Sequence, residues 1–188
     1  MDLFADAPRE FYLMGHSMGG WIAQHMALQA PERIKALFLL SNWTCEINKL
    51  FRMLLQEIIH DLKSGLQSAL LEKLCNQMVR PTRLQDHAFM ETLQNAFIAF
   101  PTDRLIYQTQ LELHGGDTSQ RLTEITPTSH LIFGDTDAYF DREMQLQLHA
   151  GIPSCTSTCI PETGHMIPCE QRETLFLHTK RLQPECFV

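Results

Sequence analysis

FYLMGHSMGGWIAQHMALQAPERIKALFLLS, residues 11–41, decides the fold. Its first four residues are an apolar run that stops at Gly15, the pattern of a short buried strand. After Ser17 the period changes. Ile22, Ala23, Met26, Ala27 and Ala30 recur at helical spacing, and Pro31 ends the helix. Residues 34–41 return to an almost continuous apolar run. Strand, turn, helix and strand in this order spell a βαβ unit with parallel strands.

Outward from this unit the chain alternates between two textures. Residues 46–122 carry no strand signal. Ile47, Leu50, Phe51, Leu54, Leu55, Ile58 and Ile59 form an amphipathic stripe, Leu66, Leu70, Leu74 and Met78 continue it on a second helix, and Leu84, Met90, Leu93 and Phe97 suggest a third. Pro101 breaks that run, with Thr102 as the cap of a fourth helix. The α/β texture then resumes: a strand from His130 to Phe133, a helix over 141–150 stopped by Gly151, a strand over 156–160, and a closing helix over 168–182. The expected fold class is α/β, a mainly parallel sheet with a helical insertion. Residues 1–45 and 123–188 form its core and 46–122 the insertion.

Chemistry concentrates at the turn within the opening stretch. Gly15-His16-Ser17-Met18-Gly19 fits G-x-S-x-G between a strand and a helix, the context a nucleophile elbow requires. So tight a turn predicts that a Cβ at either flanking position, Gly15 or Gly19, would clash. The serine is forced into a strained backbone with its Oγ clear of the sheet, and the Met18 N–H at the helix start points at a developing oxyanion. Gly20 adds room for the helix to pack close to the strand. A serine hydroxyl needs a base, and the base an orienting acid. Asp137 lies just past one strand, three residues after Gly134, and His165 follows Gly164 in the loop after the next. Both sit where open α/β sheets bind ligands.

Gly15-His16-Ser17-Met18-Gly19-Gly20-Trp21, Ala30-Pro31-Glu32-Arg33-Ile34, Phe133-Gly134-Asp135-Thr136-Asp137 and Gly164-His165 together resemble the α/β-hydrolase superfamily. The resemblance spans nearly the whole chain, weakly through the helical insert, and is nearest to small esterases and enol-lactonases. It implies a triad of Ser17, Asp137 and His165, and its G-x-x-D spacing favours Asp137 over Asp135, which reads as a turn residue. Residues 43–122 become a cap over the pocket, with Trp43, Leu54, Phe97, Phe100 and Tyr107 as candidate lining. His16 and Trp21 read as structural. The implied reaction is acyl transfer from a small-molecule ester to water; lactone or carbon–carbon bond cleavage on the same triad is the alternative. In the superfamily, four strands and a helix precede the nucleophile strand and carry a second oxyanion N–H. Here the elbow follows only fourteen residues. The resemblance therefore implies a C-terminal part of such an enzyme, catalytically incomplete when alone and prone to self-association through an open strand edge.

Bulk properties exclude other classes. A net charge of −7 and a pI near 5.7 argue against nucleic-acid binding. No run approaches the ~18 apolar residues of a membrane span. The acidic first ten residues do not read as a secretory signal. Six cysteines (Cys45, Cys75, Cys155, Cys159, Cys169 and Cys186) form no C-x-x-C pair and read as reduced thiols of a cytoplasmic protein. The histidines other than His165 show no ligand spacing, so neither a metal nor a cofactor is expected.

Overall fold

The computed structural model describes residues 4, 6–44 and 49–183. Four strands, β1 (Phe11–His16), β2 (Ile34–Leu40), β3 (Ser129–Gly134) and β4 (Cys155–Ile160), form one parallel sheet in the order β1-β2-β3-β4. Helix α1 (Met18–Gln29) links the first two strands, and a 3₁₀ turn over Pro31–Arg33 feeds β2, as the proline requires.

The continuous apolar run of β2 has a physical cause: both faces of the strand are covered. Leu37 and Leu39 pack with Ala23 and Ala27 of α1, while Ala36, Phe38 and Leu40 pack on the opposite face with Ile132, Ile167 and Leu175. Alternation along the strand divides the core into these two clusters. Glycine again marks a close approach at Gly151, the last residue of α6 (Arg142–Gly151), where a Cβ would press on Leu122.

The chain divides into two compact units, residues 1–45 with 118–188, and residues 46–117. The boundary expected at 122 falls earlier. Thr118 N–H donates to Thr44 O at 3.2 Å, and Leu122 belongs to the sheet core beside Leu148 and Ile152.

The second unit holds α2 (Lys49–Lys63), α3 (Gln67–Met78), α4 (His87–Ile98) and α5 (Thr102–His114). All four expected helices are present, with local differences. Ile47 lies outside the described residues. Leu66 precedes α3 and is 52% exposed; Leu71 and Cys75 complete the buried stripe instead. Leu84 belongs to a 3₁₀ turn, and Asp86 caps α4 by accepting from Phe89 N. Thr102 is not a cap: Pro101 holds that place, and the Thr102 hydroxyl donates to Gln67.

The closing helix is two helices, α7 (Ile167–Glu170) and α8 (Arg172–Leu182), broken where Gln171 leaves helical backbone. No helix among the described residues is long and apolar enough to cross a membrane. Cys75, Cys155, Cys159 and Cys169 form no disulfide; Cys45 and Cys186 lie outside the described residues.

Candidate active site

Four parallel strands deliver four segments to one edge of the sheet, at their carboxyl ends: Ser17 after β1, Asn42 after β2, Asp137 after β3 and His165 after β4. Ser17 has φ 52° and ψ −123°, a conformation that costs a non-glycine residue on the order of 1–3 kcal/mol. Its surroundings hold it there. Ser17 N–H donates to Leu40 O at 2.9 Å, and Ser17 O accepts from Gly20 N (2.9 Å), Trp21 N (3.2 Å) and Asn42 Nδ2 (2.6 Å). Met18, first residue of α1, occupies a position whose N–H a helix cannot satisfy internally.

The two elbow glycines are not equivalent. A Cβ on Gly15 would lie 2.7 Å from Gly20 Cα, against backbone that cannot yield. A Cβ on Gly19 would meet nothing within 4 Å, contrary to the steric expectation. The restrictive neighbour is Gly20, whose Cβ would stand 2.6 Å from Asn42 Cγ. The helix thus leaves the turn with Gly19 facing open space and Gly20 facing the loop after β2.

Asp137 and His165 meet across 28 positions of sequence. Asp137 Oδ2 lies 3.0 Å from His165 Nδ1, and their side chains are 1% and 4% exposed. Asp137 Oδ1 accepts from Tyr139 N (2.9 Å) and Phe140 N (3.1 Å). Burial pushes the Asp137 carboxyl up, but the hydrogen bond and charge of His165 with these two N–H groups outweigh it, so the net shift is downward. An ionised Asp137 accepts from Nδ1–H and leaves His165 Nε2 with its lone pair. Asp135 does other work: its carboxylate accepts from Thr163 N at 3.2 Å and fastens the His165 loop. Gly134 permits that approach, since a Cβ there would stand 2.6 Å from Gly164 O.

Further groups hold the histidine loop. Gly164 N donates to the buried Glu170 at 3.2 Å, and His165 O accepts from Ile167 N (3.0 Å) and His16 Nε2 (2.8 Å). The His16 ring lies 4.9 Å from the His165 ring. Burial and the adjacent His165 lower its pKa to about 4, against opposing pulls from the His165 carbonyl and Asp137, so His16 is a neutral donor at neutral pH. Tyr139 and Phe140 each stand 5.3 Å from the His165 ring, with Trp43 stacked on Phe140. Among the described residues no hydrogen bond joins Ser17 Oγ to His165; His16 connects their segments.

Beneath Ser17 runs a buried polar network that no sequence motif announces. Asn42 Oδ1 accepts from Gln24 Nε2, which also donates to Trp43 O at 2.8 Å. Thr118 Oγ1–H donates to Gln24 Oε1 at 2.6 Å and accepts from Thr44 Oγ1 at 2.9 Å, while Gln145 Nε2 donates to Asn42 O at 2.7 Å. The Gln24–Thr118 pair spans 94 positions, which no local spacing announces.

Of the five candidate lining residues, Trp43 is buried in the first unit. In the second, Leu54 and Phe97 are half-buried, while Phe100 and Tyr107 are 39% and 57% exposed. Trp21 lies parallel to Trp43 with ring centroids 6.5 Å apart. No group of His, Cys, Asp and Glu among the described residues could hold a metal ion.

The family described as alpha/beta hydrolase fold matches residues 8–171. An uncharacterized hydrolase, YugF, of Bacillus subtilis strain 168 is 24% identical over 185 residues, covering 90% of this chain and 64% of that protein. A thermophilic esterase from Thermogutta terrifontis superposes with a TM-score of 0.87 at 17% identity, over 95% of this chain and 66% of its own. The enol-lactonase from Burkholderia xenovorans LB400 does so at 0.77 and 16% identity, over 91% and 64%. The chain thus spans 64–66% of the length of these three relatives.

Proposed function

Because the chain belongs to the alpha/beta hydrolase fold family, we propose that it carries the catalytic end of a serine hydrolase acting on carboxylic esters. The observation that carries this reading is the buried Asp137–His165 pair, 3.0 Å apart, at the same sheet edge as the strained Ser17. Ser17 Oγ attacks the ester carbonyl carbon while His165 Nε2 takes its proton. Asp137 holds the imidazole in one tautomer and stabilises the imidazolium. The Met18 N–H donates to the oxyanion of the tetrahedral intermediate. Collapse breaks the bond to the leaving alcohol, which receives the proton from His165. Water, deprotonated by His165, then attacks the acyl-serine, releasing the acid and restoring Ser17–H. Lactone opening is the same step with the leaving alcohol tethered to the acyl group. The 46–117 unit is the proposed specificity element. A cytoplasmic setting is part of the same proposal, with Cys75, Cys155, Cys159 and Cys169 as free thiols among the described residues.

A fluorophosphonate probe tests the assignment directly. It should label the chain at Ser17, not at all in Ser17→Ala and far more weakly in His165→Ala, since triad losses cost roughly 10⁴-fold. Labelling at any other residue overturns it.

A further inference from the structure

The helical unit holds a partly open cavity of about 150 Å³. Apolar side chains of α2, α3 and α4, among them Leu55, Leu74 and Phe97, form most of its wall. Helix α5 supplies the polar part: Gln108, Thr109 and Glu112. Thr109 spends its hydroxyl on Leu105 O within its own helix. Gln108 and Glu112 are different. They stand one helical turn apart on the face that lines the cavity, and neither has a hydrogen-bond or ion-pair partner among the described residues. No Lys, Arg or His lines the cavity. Burial alone pushes the Glu112 carboxyl up to about 7.

Gln108 and Glu112 are half-buried, at the polar edge of an otherwise apolar wall, and a carboxylate so placed is favoured by a partner that brings a compensating charge. Two acceptor oxygens, one on the Glu112 carboxylate and one on the Gln108 amide, suit a group with several N–H donors and a positive charge. The remaining wall suits a hydrocarbon body. The volume bounds that body to one ring or a short alkyl chain, because an apolar cavity of about this size holds a benzene. We propose that the helical unit is a binding module for a small primary amine, its ammonium held by Glu112 and Gln108 and its apolar body packed against Leu55, Leu74 and Phe97. This site is independent of the hydrolase reading.

Benzylamine, benzyl alcohol and benzoate share one ring and differ in head-group charge. Calorimetric titration of each into the full chain, blocked at Ser17 by fluorophosphonate, excludes binding at the nucleophile. Benzylamine should bind about 10-fold or more tighter than benzyl alcohol, the scale of a charge-assisted hydrogen bond, and benzoate weakest. Glu112→Gln should erase the preference for the amine while leaving the circular dichroism spectrum unchanged. Leu74→Phe, which fills the cavity, should abolish binding of all three. If that variant fails to fold, Glu112→Gln decides alone. Equal affinity for amine and alcohol in the parent, an amine preference that survives Glu112→Gln, or no binding overturns the proposal; water would then satisfy the two side chains.

Discussion

Replacing Gly20 by Ala puts a methyl group against the Asn42 side chain, beside the proposed nucleophile Ser17. The new Cβ would lie 2.6 Å from Asn42 Cγ. Carbon atoms in contact sit roughly 3.5–4.0 Å apart, so the Asn42 side chain must retreat by about 1 Å. Its amide now stands 2.6 Å from Ser17 O, and that retreat carries it to the limit of hydrogen bonding. Overpacking costs about 1–3 kcal/mol and the lost bond about 1 kcal/mol, while Gly→Ala inside a helix returns up to ~1 kcal/mol. The net expectation is a loss of about 1–3 kcal/mol in urea unfolding. Reactivity should suffer more, because a displacement of ~1 Å at a catalytic group can cost about 10²-fold. The rate of fluorophosphonate labelling at Ser17 reads this without requiring turnover. Gly19→Ala is the control: its Cβ meets nothing, so stability should hold or rise and labelling should persist. The double variant Gly20→Ala/Asn42→Gly separates strain from positioning. It removes the clash but does not restore the bond to Ser17 O, and it also removes the Gln24 contact, so stability should recover at most in part and labelling should not recover. Parent-like labelling in Gly20→Ala, or equal damage from Gly19→Ala, would refute the assigned role of Asn42.

Asp137→Asn should slow labelling by up to ~10⁴-fold through the wrong imidazole tautomer, and Asp135→Asn by much less; the reverse ranking removes Asp137 from the mechanism. Glu112 bears on stability against pH. Its folded pKa is raised from 4.5 to about 7, so its contribution is full below pH 4.5 and lost as pH rises through about 7. Glu112→Gln should therefore match the parent in urea at pH 4 and exceed it at pH 8, and a gap that does not widen with pH contradicts this. The outer edge of β1 has no partner strand among the described residues, and Met14 is 46% exposed there. Light scattering should show concentration-dependent association that Met14→Lys reduces; a monomer at every concentration argues otherwise. In the helical unit, Phe100→Ala and Tyr107→Ala should shift acyl-chain preference at constant stability, whereas Leu74→Ala should cost about 2–5 kcal/mol. If all three only destabilise, the unit sets no specificity.

The sequence by itself determined the four strands, most of the helices and the strand–turn–helix that carries Ser17, because each leaves a local mark. A strand buried on both faces must be apolar throughout, as 36–40 is, and a helix buried on one face must repeat its apolar residues every three or four positions, as α2 and α3 do. Gly15 was legible for the same reason: it answers to backbone only four and five residues away. What tertiary structure alone decided lies at longer range. The strand order, the contact of Asp137 with His165 across 28 positions, and the Gln24–Thr118 bond across 94 each depend on which loops the parallel sheet brings to one edge. Ordinary residues such as Asn42, in the loop after β2, and Glu170, at the end of α7, acquire their roles only there. Spacing likewise could not rank Gly19 against Gly20, since the difference is the side chain of Asn42, which arrives from another strand. Local periodicity reports which face of an element is buried; packing decides what that face meets.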